Sequence, residues 1–100
     1  MKKPTVISIQ QFCTHYDIPP SFIESLSDFD IIEIIVDDQK YIDVNQITII
    51  EKMIRLHYDL NVNFEGLDVV LNLLSRIENL QNEINSLHNK LDFHNHNLMT

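Results

Sequence analysis

Cys13, His15, His94 and His96 are the side chains of this sequence whose types could do covalent or metal chemistry, and their spacing argues against it. On a helix, residues two apart face different directions, so Cys13 and His15 do not form a nucleophile and its base. Cys13 also falls on an apolar stripe, where a thiol is a small, inert hydrophobe. His94 and His96 stand in "FHNHN" with no further Cys, Asp or Glu in register, and two histidines alone do not make a metal site. Gly66 is the single glycine, which leaves no glycine loop to cradle a phosphate. The expectation is a protein that is not an enzyme, with no catalytic residue, no metal and no cofactor.

The chain is instead rich in acid. Its formal net charge is −8, and from Asp17 to Asp43 eight acids (Asp17, Glu24, Asp28, Asp30, Glu33, Asp37, Asp38, Asp43) face one base, Lys40. A surface of that sign repels nucleic acid and anionic lipid, and it attracts a basic partner across about a Debye length, roughly 10 Å.

One hundred residues, 44% of them hydrophobic, suffice for one small domain with an added helix. The lone Cys13 excludes an internal disulfide framework and suits a reducing compartment. Lys2 and Lys3 run into Pro4, and the short apolar "VISI" gives way to Gln10 and Gln11, so no signal peptide is visible. No apolar run approaches the roughly 20 residues that a membrane helix needs. A cytoplasmic protein, away from membranes, is expected.

The elements that position the acids follow from local signals. Residues 1–6 form an arm or a short edge strand. Ser8 and Gln11 in "SIQQ" make a capping box, opening a helix that buries Ile9, Phe12, Cys13 and Tyr16. Pro19 and Pro20 cannot continue it, so Asp17 to Pro19 turn. Ser21 and Glu24 offer a second capping box for a helix that buries Phe22, Ile23 and Leu26. Two short helices joined by a tight turn are a helix-turn-helix unit. The β-branched "IIEIIVDDQKYIDV" then reads as a hairpin wing, Ile31 to Val36 and Lys40 to Ile42, with Asp37, Asp38 and Gln39 at its tip. Asp43 caps a third helix, whose inner side takes Val44, Ile47, Ile50, Met53 or Ile54, Leu56 or His57, and Leu60.

A fourth helix starts near Asn63 and runs to about Phe93. Val70, Leu73, Ile77, Leu80, Ile84, Leu87 and Leu91 recur at alternating steps of three and four, a heptad seam with Leu at d. Leu67, Leu71 and Leu74 widen its first half. Beyond Gln81 only the narrow seam remains, so Ile77, Leu80, Ile84, Leu87 and Leu91 are the self-association candidates. A second copy of the chain is the simplest partner, and internal packing is the alternative. The expected fold class is mainly α, a winged helix-turn-helix with a small β-hairpin wing followed by a long C-terminal helix. Its divisions are 1–62 for the winged domain, 63–93 for the helix and 94–100 for a disordered tail.

DNA binding is the rival that this scaffold invites. Affinity for a duplex comes largely from Lys and Arg against phosphates, and base reading needs Arg, Lys, Asn or Gln. Residues 20–30 offer Ser21, Glu24, Ser25, Ser27, Asp28 and Asp30, and the wing tip offers Asp37 and Asp38. Specific DNA binding is not expected, although a MerR-type transcriptional regulator is kept as the alternative.

Several motifs, taken in order, resemble the CbpM family of chaperone modulators, a branch of the MerR-like winged helices. They are Phe12-Cys13 within "ISIQQFCTHYDI", Arg55-Leu56 with Asp59-Leu60, and Phe64, Gly66 and Leu67 within "IRLHYDLNVNFEGLDVVLNLLSRIENL". The likeness covers about residues 6–91. Where such proteins often place a Gly and a Pro after helix 2, this chain has Phe29-Asp30-Ile31-Ile32-Glu33. Tyr41 stands for an expected wing tryptophan, and Phe64 for another before Gly66. The resemblance implies a partner, the J-domain of a DnaJ- or CbpA-type co-chaperone, whose stimulation of Hsp70 (DnaK) it would inhibit. The candidate J-domain-binding residues are Glu24, Asp28, Phe29, Asp30, Glu33, Asp37 and Asp38, with the start of helix 4 (Asp59, Glu65, Asp68) as the second acidic face. A homodimer is expected.

Overall fold

A computed structural model describes residues 5–98 and divides the chain into two compact units, 1–69 and 70–100. The first unit opens with β1 (Val6–Ser8), followed by α1 (Ile9–Tyr16) and α2 (Pro20–Asp28). The wing strands are β2 (Ile35–Val36) and β3 (Lys40–Asp43). A 3-10 turn (Val44–Gln46), α3 (Ile47–Ile54) and a π turn (Arg55–Asp59) precede α4 (Phe64–Leu98). The three strands form one antiparallel sheet in the order β1-β3-β2, with Ile7 opposite Ile42 and Ile35 opposite Tyr41. This is the mainly α, winged helix-turn-helix architecture with a long C-terminal helix that the sequence predicts.

The caps set the starts of the elements. The Gln11 N–H donates to Ser8 Oγ at 3.1 Å, and the Asn45 N–H donates to Asp43 Oδ1 at 2.8 Å. Helix α4 is capped by Asn63, whose Oδ1 accepts from the Gly66 N–H at 2.8 Å. Gly66 leaves room for this cap, since a Cβ there would lie 2.7 Å from Val62 Cγ1 and 3.1 Å from Asn63 Oδ1. The predicted Ser21–Glu24 capping box does not form. Helix α2 already begins at Pro20 with Pro19 at its cap position. Pro at N1 has a preset φ and no N–H to satisfy, so the helix starts one residue before the serine could cap it.

The ends of α1 and α2 share one device. In α2 the Ile31 N–H reaches the Leu26 carbonyl at 2.9 Å and the Asp30 N–H reaches Ser27 at 3.0 Å, with Asp30 left-handed at φ 58°. This is a Schellman ending in which aspartate takes the glycine position. Helix α1 ends likewise, with Asp17 at φ 55° and the Ile18 N–H on the Cys13 carbonyl at 3.1 Å. In both endings the following isoleucine turns back into the core, where Ile18 and Ile31 are buried.

The core of the first unit is formed by Phe12, Ile23, Leu26, Ile42, Ile50, Met53 and Leu67, all fully buried. Three further sequence expectations are corrected. The first wing strand does not span Ile31 to Val36: Ile31 and Ile32 are both buried core residues, and only Ile35 and Val36 pair. A half-buried strand alternates its faces, so two consecutive buried residues belong to a coil folding inward. The Glu33 N–H and carbonyl are clamped by the Gln46 side chain at 2.9 and 3.0 Å, which holds this coil against the following turn. Val44 and Leu60 are exposed rather than buried. The helix winds as 3-10 at Val44 and as π at its end, and both depart from the 3.6-residue period that put these side chains inside. Last, α4 continues to Leu98, past residue 93, where the sequence reading ends it; the predicted tail thus starts within a helix, and its residues 99–100 lie outside the described residues, as do residues 1–4 of the arm.

Asp30 offers a test that separates backbone from charge. Replacing Asp30 by Gly removes the left-handed penalty and should raise stability by about 0.5–1 kcal/mol, whereas Asp30→Val should lower it by about 2 kcal/mol. Urea denaturation midpoints read both. A glycine variant less stable than the wild type would assign the aspartate carboxylate, not its backbone, to the end of α2.

Candidate partner-binding surface

Helix α2 occupies the position of a reading helix and presents acid. Phe22, Ile23 and Leu26 face inward, which leaves Glu24 and Asp28 exposed one helical turn apart. Across from them, β3 contributes Lys40, whose Nζ pairs with Glu24 Oε1 at 2.7 Å. An open cleft between α2 and the wing is lined by Glu24, Ser27, Asp28, Ile34, Val36 and Lys40. The Glu24–Lys40 side chains are about half exposed, so the pair contributes roughly 0–1 kcal/mol. Its larger effect is on charge, because one of the candidate acids is already neutralised.

The wing tip also uses its acid internally. Asp38 Oδ1 accepts from the Gln39 N–H at 2.9 Å and from the Tyr41 hydroxyl at 2.8 Å, and the Asp37 N–H closes the turn on the Gln39 carbonyl at 2.9 Å. The carboxylate that accepts its proton holds the Tyr41 phenol above its ordinary value, with partial desolvation and the charges of Asp38 and Asp37 adding to the rise. Tyr41 thereby locks a tip that has no glycine.

Phe29 behaves differently from the acids beside it. It is 37% exposed, and its ring stacks on Phe64 with centroids 5.9 Å apart and planes inclined at 19°. Phe64 lies 5.6 Å from Phe22 and 4.9 Å from His57, and Tyr58 lies 5.3 Å from Phe22. His57 Nδ1 is 2.8 Å from the Val62 carbonyl; a carbonyl only accepts, so this nitrogen carries the proton. Five rings from α2, the π turn and the start of α4 thus form one cluster. Asp28, the last residue of α2, and Asp30, just beyond it, flank Phe29 in sequence, and Glu65 follows Phe64. The stack joins the two acidic faces that the sequence holds apart. Sequence reasoning missed this cluster because His57 and Tyr58 are consecutive, and an ordinary helix would splay them. The wider π turn lets both face Phe22.

The structure therefore splits the seven candidate residues. Glu24 and Asp28 line the cleft beside Lys40, Asp37 and Asp38 form the wing tip, and Glu33 is fixed by its backbone with its carboxylate exposed. Phe29 and Asp30 lie at the end of α2, toward α4. Among the described residues no group of three or more His, Cys, Asp or Glu is placed to hold a metal ion, and no helix is long and apolar enough to cross a membrane. Cys13 is buried, and desolvation raises its thiol pKa, which disfavours the thiolate.

On α4, the seam residues Leu73, Ile77, Leu80, Ile84, Leu87 and Leu91 are each more than half exposed in the single chain. The helix thus carries an apolar stripe whose burial needs a partner surface.

A two-helix turn, an antiparallel wing and a long following helix define the class of winged helix-turn-helix regulators. A family model described as MerR HTH family regulatory protein matches residues 7–89, and the chain belongs to that family. Comparison with the curated proteins and with the solved structures gave no match.

The Tyr41–Asp38 bond has a pH signature. The folded-state pKa of Tyr41 is raised, so the contribution of this contact is fully present at neutral pH and is lost as pH climbs past 10 and through the raised value. Burial and the hydrogen bond from its hydroxyl to Glu51 also raise Tyr16, so spectrophotometric titration of the tyrosinates should show two late-titrating groups, and Asp38→Asn should move one of them, Tyr41, back toward its ordinary value. An unchanged titration in the Asn variant would disprove the link.

Proposed function

We propose that this chain is a regulatory adaptor that has turned a DNA-reading scaffold toward protein, binding the J-domain of a DnaJ- or CbpA-type co-chaperone and inhibiting its stimulation of Hsp70. The observation that carries this reading is the charge of the reading helix. Its charged exposed positions are both acidic, Glu24 and Asp28, and the wing tip adds Asp37 and Asp38. A phosphate backbone is repelled by such a surface, whereas a basic helix is drawn to it. The resemblance to the CbpM family supplies the identity of the basic partner. A J-domain presents its basic helix to Hsp70, and occupation of that helix by an acidic protein is competitive.

Titration of the full chain with a purified J-domain tests this reading. Binding should weaken at least about tenfold between about 0.05 and 0.5 M salt, mainly through a slower on-rate, and the bound co-chaperone should fail to stimulate the Hsp70 ATPase. Selection from random duplexes at physiological salt should enrich no sequence. Enrichment of one sequence at nanomolar affinity, without J-domain binding, would establish the MerR-type DNA-binding reading instead.

The same proposal includes a homodimer formed through the α4 seam. Replacing Ile84 and Leu87 by Asp puts unpaired charges into that seam at a cost of several kcal/mol. Sedimentation of the double variant should give a monomer that retains the helicity of residues 1–74. A wild-type chain that already sediments as a monomer would disprove dimerisation.

A further inference from the structure

We infer that the exposed edge of the aromatic cluster, rather than the wing tip, is the docking surface, and that it takes a cationic amphipathic helix of a partner protein. The inference rests on the proposal that the partner is basic, and it relocates and sharpens the contact. Three observations carry it.

The first is the rings themselves. Phe29 is 37% exposed, Tyr58 46% and Leu60 67%, so the cluster and its neighbour in sequence leave large apolar side chains at the surface. These side chains are already ordered. The buried Phe22 packs on both His57 and Tyr58, at 5.2 and 5.3 Å, and Phe64 holds Phe29 in a stack. A partner that covers them loses little side-chain freedom, the condition under which aromatic anchors contribute most to binding.

The second is the chemistry at their borders. Phe29 lies between Asp28 and Asp30, Asp59 follows Tyr58, and Glu65 follows Phe64. All four carboxylates are exposed, and among the described residues none has an ion-pair partner. An aromatic face next to a carboxylate is a receptor for Arg or Lys, which it meets through the ring quadrupole and through charge. Leu60, two residues after Tyr58 and 67% exposed, is a further apolar side chain for the apolar face of an amphipathic helix.

The third is the contrast with the wing. Glu24 is occupied by Lys40, and the Asp38 carboxylate is held within its own turn by Gln39 and Tyr41. Acids that already have partners inside the fold offer less to a basic ligand than acids that have none.

Two probes separate this inference from the proposed function: a synthetic amphipathic helical peptide of Leu, Lys and Arg, and a purified J-domain. With the full-length chain, Tyr58→Ser, Asp59→Lys and Glu65→Lys should each weaken binding of both probes by about tenfold, and Tyr58→Phe should restore most of it. Glu78→Lys, an acid outside this surface, should change binding less than about twofold. Amide shifts on adding either probe should centre on residues 28–30, 57–60 and 64–66. The Asp59 and Glu65 reversals keep the test decisive should Tyr58→Ser fail to fold. If the J-domain binds but is lost on Asp37→Lys with Asp38→Lys, and not on the Asp59 and Glu65 reversals, this inference is overturned while the proposed function stands. If the peptide binds at these residues and the J-domain does not, the surface is real and the named partner is wrong. An acidic peptide of the same pattern binding equally well, or neither probe binding, overturns the inference.

Discussion

The left-handed turn at the end of each short helix is the constraint on which this domain depends. The chain holds a single glycine, placed inside α4, so none is available where a helix must stop and reverse. Asp17, Asp30 and Asn61 take the left-handed conformation instead, at φ 55°, 58° and 57°. Asp and Asn tolerate this region better than other residues with a Cβ. Each is followed by a β-branched residue whose N–H reaches back to a helix carbonyl: Ile18 to Cys13, Ile31 to Leu26 and Val62 to Leu56. At two of the three endings the residue before the aspartate or asparagine is exposed, whereas Tyr16, before Asp17, stacks half-buried on Phe12. The exposure of Phe29 and Leu60 thus accompanies the ends of α2 and of the π turn.

With the backbone so constrained, the charge pattern decides what the scaffold can meet. A winged helix-turn-helix positions one helix and one hairpin against a partner, and nothing in that geometry requires the partner to be DNA. Here the wing is anchored by apolar packing. Ile42 is fully buried in β3, between two neighbouring strands. The exposed Glu24–Lys40 pair adds little to stability. The hairpin is thus held by its core side, and the solvent side is free to carry any charge.

Much of this was legible in the residues. Ser8 and Asp43 each accept the N–H that their position promises, and the alternating three and four spacing on α4 marks a stripe that the single chain leaves exposed. The errors have physical causes. In "IIEIIV" the β-branched residues signal a strand, but the preceding Schellman ending sends Ile31 and Ile32 into the core and leaves only two residues to pair. Helical periodicity extrapolated from Val44 to Leu60 fails because the segment begins with a tighter turn and ends with a wider one. The aromatic cluster draws on residues from 22 to 64 and depends on that wider turn, which no propensity announces. One signal was available: Phe29-Asp30-Ile31 repeats the pattern of Tyr16-Asp17-Ile18, and the earlier copy sits at a helix end that Pro19 makes plain.

Acids and rings have separable roles in a surface of this kind. Charges act across about 10 Å of solution and are weakened by salt, so they set how often a basic partner arrives and in which orientation. Exposed carboxylates contribute little once contact is made, because water and salt screen them. Rings act only on contact, through buried area and through the attraction of a cation for a π face, and so they set how long the partner stays. An acidic scaffold without the cluster would collect basic proteins indiscriminately. The fixed rings of Phe29, Tyr58 and Phe64 add a shape requirement, met only by a partner that sets apolar and cationic side chains at matching places on one helix. The π turn has a definite place in the proposed surface: it brings Tyr58 to Phe22 beside His57, and on that proposal the same acids without these rings would lack a shape requirement.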